Sequence, residues 1–220
     1  MFKALAKALA QLGDTPIQKT IFQTLIVAMI VFIILWSAIG YGLTNTSLFT
    51  IGWLEDIIDI MGGLAVLVIT WMLFPGVISA TMGFFLDTIA RAVEAKHYPH
   101  LEPAVGVSTA EAIFSSIKFI AILVVLNIFM LLFLIVPPVF PFVFYGVNGY
   151  LLGREYFELV ALRRMSPAQA KELRLKNKRK ILIFGILIAL LLSIPLINLL
   201  TPIIATAAML HMFESFRNEA

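Results

Sequence analysis

The sequence predicts an all-α integral membrane protein, and three observations carry that prediction. Hydrophobic residues make up 61% of the 220 residues, charged residues only 13%, and mean hydropathy is +1.00. An ordinary soluble domain carries about 45–50% apolar and about 25% charged residues, so a water-exposed globule of this composition could not cover its surface with polar groups. Apolar runs of membrane length alternate with short polar segments, and none of the 16 Lys and Arg residues lies between Thr20 and Ala90. The expected architecture is two long transmembrane helices, two proline-broken re-entrant (half-penetrating) helix hairpins and an N-terminal interfacial helix.

Within a single membrane domain, 1–220, the interfacial helix comes first, over 1–16. Phe2, Leu5, Leu9 and Leu12 share one helical face, while Lys3, Lys7 and Gln11 occupy another, a pattern that suits a helix lying in the headgroup layer. The transmembrane helices are placed over 17–43 and 61–97. Ile21 to Leu43 holds 23 residues, where about 20 suffice to cross and a signal-peptide core has about 7–15. Trp36 and Tyr41 fall near its far end, where amphipathic rings prefer the interface. Glu55, Asp56 and Asp59 follow, and Met61 to Leu86 forms the second crossing, kinked at Pro75-Gly76, with an amphipathic extension through "DTIARAVEAK".

The hairpins are placed over 109–153 and 181–213, with cytoplasmic amphipathic and basic helices over 154–180 between them. "STAE" (Ser108 to Glu111) and "SPAQ" (Ser166 to Gln169) read as helix-capping signals. Pro137-Pro138 interrupts the first apolar pair, and Pro195 and Thr201-Pro202 punctuate the second. The return limbs, Val139 to Gly153 and Ile203 to Phe213, hold 15 and 11 residues, short of about 30 Å at 1.5 Å per residue. Charge gives the same answer. The lysines before Thr20 put the N-terminus in the cytoplasm, and a third crossing would send the nine basic residues from Arg154 to Lys180 outside. Two crossings and two hairpins keep every Lys and Arg inside. Irregular backbone at membrane depth is tolerated only where protein or a watery cavity surrounds it, so the hairpins mark either a solute pathway or a kinked structural bundle.

Little in the sequence carries reaction chemistry. There is no cysteine, which excludes disulfides, thiolate metal sites and cysteine nucleophiles. No phosphate-binding loop, nucleophile elbow or zinc helix occurs, so no enzyme, cofactor or metal is expected. His97-Tyr-Pro-His100 reads as a surface loop, and His211 as a packing or interfacial histidine. No acid lies centrally in an apolar run, where a proton-coupled pump would need one. The dense "RLKNKRK" reads as a cytoplasmic anchor rather than a nucleic-acid site. Asn198, between Pro195 and Pro202, either satisfies freed backbone or lines the pathway.

At "SIPLINLLTPIIATAAML" (Ser193 to Leu210) the sequence resembles the closing hairpin of the CysZ-type sulfate permeases, grouped with the etoposide-induced-protein domain. Ile194, Pro195, Leu196, Ile197, Asn198 and Pro202 carry the likeness, and "GREYFELVALRR" resembles the helix after that family's first hairpin. The resemblance implies two long helices with two half-penetrating pairs. It also implies sulfate uptake across the bacterial inner membrane for cysteine synthesis, without ATP hydrolysis in this chain. The implied partners are the lipid bilayer, sulfate or a similar oxyanion, and further copies in a homo-oligomer, with no nucleic acid. A dianion needs backbone N–H groups at a helix N-terminus, hydroxyls and a cation. The family's Gly-Leu-Arg type motif follows a proline, and here Pro16 is followed by Ile17, Gln18, Lys19 and Thr20. Gln18, Lys19, Thr20 and Asn198 are the candidate substrate-binding residues, with Lys19 in place of a bidentate guanidinium and open to the alternative role of anchor.

Overall fold

Helices account for the regular structure among the described residues. The structure, a computed structural model, describes residues 1–44, 85–102, 104, 106, 109–194 and 197–219. The acidic stretch at Glu55, Asp56 and Asp59, the second crossing from Met61 to its Pro75-Gly76 kink, Ser108 and Pro195 lie outside the described residues. Two compact units form. One is Thr15–Leu86, and the other joins Met1–Asp14 to Asp87–Ala220.

In the first unit, α2 (Thr15–Thr44) is a 30-residue helix, about 45 Å long. Thr20 and Thr24 each turn their hydroxyl back on the helix, donating to the Pro16 and Thr20 carbonyls at 2.9 Å. Together with Ile17 and Ala28 they form a buried stripe at helical spacing. Met29, Ile30, Ile33 and Ile34 on the other side remain exposed, and Thr15–Ala38 is long and apolar enough to cross a membrane.

The second unit begins with α1 (Phe2–Gln11). Its Ala4, Ala8 and Gln11 are buried where the helix packs on α8, and small residues are what allow that approach. Of the apolar face read from the sequence, Phe2 and Leu9 are exposed and Leu5 and Leu12 half-buried. A helix over 85–97, here α3, closes with a turn in which the Tyr98 N–H donates to the Glu94 carbonyl at 2.8 Å.

Helix α4 (Thr109–Leu131) runs into a 3-10 turn, Leu132–Ile135. Pro137-Pro138 then forms the bend, with Val136 out of the helical region at φ −121° and ψ 78°, since a following proline disfavours the α conformation. Helix α5 (Phe140–Ala161) returns with Pro141 in its first turn, where a missing N–H is harmless. The chain comes back to the end it left. The Arg154 guanidinium lies 5.4 Å from the centre of the Phe119 ring, and Asn148 Nδ2 lies 3.8 Å from Met130 Sδ.

Ser166 caps α6 (Pro167–Lys176) in a full capping box with Gln169, as "SPAQ" predicts. A single residue, Asn177, separates α6 from α7 (Lys178–Leu192). Its side chain donates to the Leu173 carbonyl at 3.2 Å. Helix α8 (Ile197–Asn218) turns back along α7. Lys180, at the start of α7, reaches Glu219 at 3.7 Å and the Phe216 ring at 5.3 Å.

Two expectations about the return limbs are corrected. Pro202 does not end the second apolar run: it lies inside the continuous α8, and the break falls between Leu192 and Ile197. Proline withholds the N–H that would serve the Asn198 carbonyl. The surrounding protein tolerates this, since every residue from Thr201 to Glu214 is buried. The first return limb likewise does not stop at Gly153 but continues to Ala161. Each of α5 and α8 has 22 residues, about 33 Å, so the shortness argument against spanning fails for both. Apolar run length measured lipid-like surroundings, and buried polar residues extend the helix beyond them. By length and composition Ile117–Ile135 and Ile197–Asn218 join Thr15–Ala38 as candidate membrane spans.

The core of the second unit is the α5–α7 crossing. Gly149 and Gly153 on α5 meet Gly185 on α7 so closely that a Cβ on Gly185 would overlap the Gly149 carbonyl and sit 2.7 Å from the Gly153 nitrogen. A Cβ on Gly153 would lie 2.6 Å from the Ile181 carbonyl oxygen. This is the small-xxx-small approach by which membrane helices gain van der Waals contact. Phe157 of α5, Phe184 of α7 and Phe213 of α8 are all fully buried, with the Phe157 and Phe213 ring centres 6.0 Å apart.

Candidate functional site

The residues read as an anion site divide between the two units. Gln18, Lys19 and Thr20 occupy the first two turns of α2, with Gln18 and Lys19 exposed and Thr20 buried. Thr20 Oγ1 donates to the Pro16 carbonyl, so its one O–H is already committed and would have to rotate to reach an anion. Among the described residues Lys19 Nζ makes no ion pair, which leaves its cationic donors open at this helix start. Asn198 stands in the first turn of α8 in the second unit, half-buried, with its backbone N–H on the Ile194 carbonyl at 3.0 Å.

Sequence reasoning missed a dense ionic cluster in the second unit. Just after α5, Arg163 and Arg164 both grip Glu94 of α3. Arg163 Nη2 lies 2.9 Å from Glu94 Oε2 and Arg164 Nη2 lies 2.9 Å from Glu94 Oε1. Arg163 also pairs with Asp87, and Arg164 Nη1 donates to the Glu102 carbonyl at 2.9 Å. Glu214 of α8 completes the group, 3.8 Å from Arg164 and 2.9 Å from Arg217. All of these side chains except Asp87 and Arg217 are nearly sequestered from water, so each charge requires its partners. Burial and the neighbouring Arg164 guanidinium both lower the pKa of Arg163. A second group lies on α5, where Glu158 accepts from Arg154 at 2.7 Å and meets Arg174 of α6 at 3.7 Å.

The histidine loop is tied in as well. Tyr98 Oη is 2.8 Å from His211 Nδ1, and His211 Nε2 is 3.3 Å from Gln11 Oε1. A neutral His211 bearing its proton on Nε2 satisfies both contacts, donating to Gln11 and accepting from Tyr98. The His97 ring packs edge-on against His211 with centroids 4.9 Å apart. His97 is therefore a packing residue of this junction and not part of a free surface loop. Burial, followed by the Glu214 charge, raises the pKa of Tyr98 above its usual 10.0. Among the described residues no three His, Asp or Glu side chains converge as a metal site.

This junction joins α3 and α8 to the end of "GREYFELVALRR", a stretch that carried the family resemblance, and joins α1 to α8 through Gln11 and His211. The family described as "Sulfate transporter CysZ/Etoposide-induced protein 2.4" matches residues 4–202. The chain belongs to that family. The CysZ match begins inside α1 and ends at Pro202, so it covers Gln18, Lys19, Thr20, Asn198, both arginines and the α5–α7 glycine crossing. His211 and Glu214, which bind the second half of α8 to the rest, lie beyond it. No curated protein matches the chain.

Proposed function

We propose that the protein is a channel-like permease for sulfate or a related oxyanion in the bacterial inner membrane, supplying sulfate for cysteine synthesis and working as a homo-oligomer. The observation that carries the reading is membership of the CysZ family over residues 4–202. Two helix pairs that fold back on themselves, α4–α5 at Pro137-Pro138 and α7 with α8, support it, since such bends at membrane depth need protein or a watery path around them. In this reading the pairs enter and leave on the cytoplasmic side, α1 lies in the interface with Phe2 and Leu9 in lipid, and Lys19 meets the anion near the free amides of α2.

One observation favours a second reading, a non-conducting membrane organising protein with the same fold. Arg154, Arg163, Arg164 and Arg217 each face a carboxylate, which leaves the second unit no unpaired arginine in this cluster to receive an anion. Radiolabelled sulfate flux into proteoliposomes separates the two. The permease reading expects protein-dependent flux above empty vesicles, reduced in Lys19→Gln. The loss of a hydrogen bond to a charged group, about 1.5–3 kcal/mol, corresponds to roughly ten- to a hundredfold weaker sulfate binding. No flux from well-folded protein would leave the organising role standing.

A further inference from the structure

The bend between α6 and α7 carries the strongest uncompensated charge on the described surface. From Lys171 to Lys180 there are six basic residues, Lys171, Arg174, Lys176, Lys178, Arg179 and Lys180, against the single acid Glu172. Arg174 is paired with Glu158 and Lys180 with Glu219. Lys171, Lys176, Lys178 and Arg179 are exposed and have no ion pair among the described residues. Three of the six stand in the first turn of α7, which contains no acid and has no side-chain cap. Cations there oppose the positive end of the helix dipole, and of these three only Lys180 has a carboxylate partner among the described residues.

The surface beside the charges is apolar. Arg179 heads a stripe at helical spacing formed by Leu182, Ile183 and Leu190, all exposed. Leu175, one turn earlier on α6, is also exposed at 51%. A surface with cations at one end and an uncovered aliphatic stripe running away from them fits a molecule with an anionic head and acyl chains. Nucleic acid offers phosphate but nothing for the stripe to cover.

We propose that the α6–α7 bend is a binding site for anionic phospholipid, with Lys176, Lys178 and Arg179 holding the headgroup phosphate and Leu182, Ile183 and Leu190 lying along the acyl chains. Lys and Arg close to an anionic leaflet are each worth about fivefold in affinity. The site rests on the membrane placement of α7 and not on sulfate conduction.

The test uses the full-length protein in detergent, with lipid retention read by native mass spectrometry. Phosphatidylglycerol and phosphatidylcholine with identical acyl chains are offered together. The expected result is preferential retention of phosphatidylglycerol that weakens with salt. Arg179→Gln should lower the preference about fivefold, Arg179→Lys should restore most of it, and K176Q/K178Q/R179Q should abolish it. All three residues are exposed, so gel-filtration behaviour is expected to be unchanged, and Arg179→Gln alone decides the matter if the triple variant misfolds. Equal retention of the two lipids, or an undiminished preference in Arg179→Gln, overturns the site. So does removal of phosphatidylglycerol by millimolar inorganic phosphate, which would make it a free-anion site, or by RNA, which would make it a nucleic-acid surface.

Discussion

At the residue scale, burial decides which charges matter. Glu94 is one carboxylate shared by two guanidiniums, and its side chain is only 12% exposed. Neutralising it as Glu94→Gln leaves Arg163 and Arg164 facing each other without their common counter-ion, and breaking a buried pair typically costs about 3–5 kcal/mol. Lys96 also makes a short pair, 2.6 Å to Asp14, but with its side chain 52% exposed, and Lys96→Gln should cost at most about 1 kcal/mol. Denaturant titration of the two variants side by side checks the contrast, and equal losses would mean that the cluster is wetter than its geometry indicates. Tyr98 gives a pH prediction. Its folded pKa is raised above 10.0, so the fold favours the neutral phenol. Its contribution is fully present below pH 10 and is lost as pH rises through the folded value. Stability of the parent should fall above pH 10, and Tyr98→Phe should flatten that limb while weakening the protein at neutral pH through the lost His211 contact.

At the scale of elements, the sequence was most legible where a local signal suffices. Ser166 with Gln169 announces α6, and Pro137-Pro138 announces the first bend, because capping and proline act within a few residues. Pro202 misled because its effect depends on surroundings: a segment buried on all sides can keep a proline-interrupted ladder helical. The glycines were legible as residues but not as a contact, since the partner of Gly149 and Gly153 is 32 or more positions further on in α7. Their geometry makes a differential prediction. Gly185→Ala would force apart backbone atoms of α5 and α7 and should destabilise by at least about 1–3 kcal/mol. Gly146→Ala, where a Cβ meets nothing within 4 Å, should be neutral or stabilising by up to about 1 kcal/mol, because alanine is the better helix former. Thermal unfolding in detergent distinguishes the two, and an unaffected Gly185→Ala would mean that the crossing is looser than described.

At the scale of the whole molecule, the open matter is how the chain sits in the bilayer, and the ion cluster sharpens the charge argument. Arg163, Arg164, Glu94, Glu102 and Glu214 bring the ends of α3, α5 and α8 to one polar junction, and the Phe119–Arg154 and Lys180–Glu219 contacts return each helix pair to the end where it began. A third crossing through α4 and α5 would have to separate residues that these contacts hold together. We therefore predict that Lys118 and Arg164 share the cytoplasmic side with the N-terminus and the α6–α7 bend. Cysteines placed at Lys3, Asn45 and Lys171 in the naturally cysteine-free chain can be labelled in intact cells with an impermeant thiol reagent. Asn45 alone should react, since it follows the first crossing and no Lys or Arg lies near it. Reporter fusions after Lys118 and after Arg164 should both give the cytoplasmic signal. Opposite signals from that pair would restore a spanning α4 or α5, for which both helices have the length, and would move the basic bend to the outer face. Labelling of Lys3 and Lys171 together with Asn45 would mean that both orientations coexist, and the positive-inside reading would then fail for this chain.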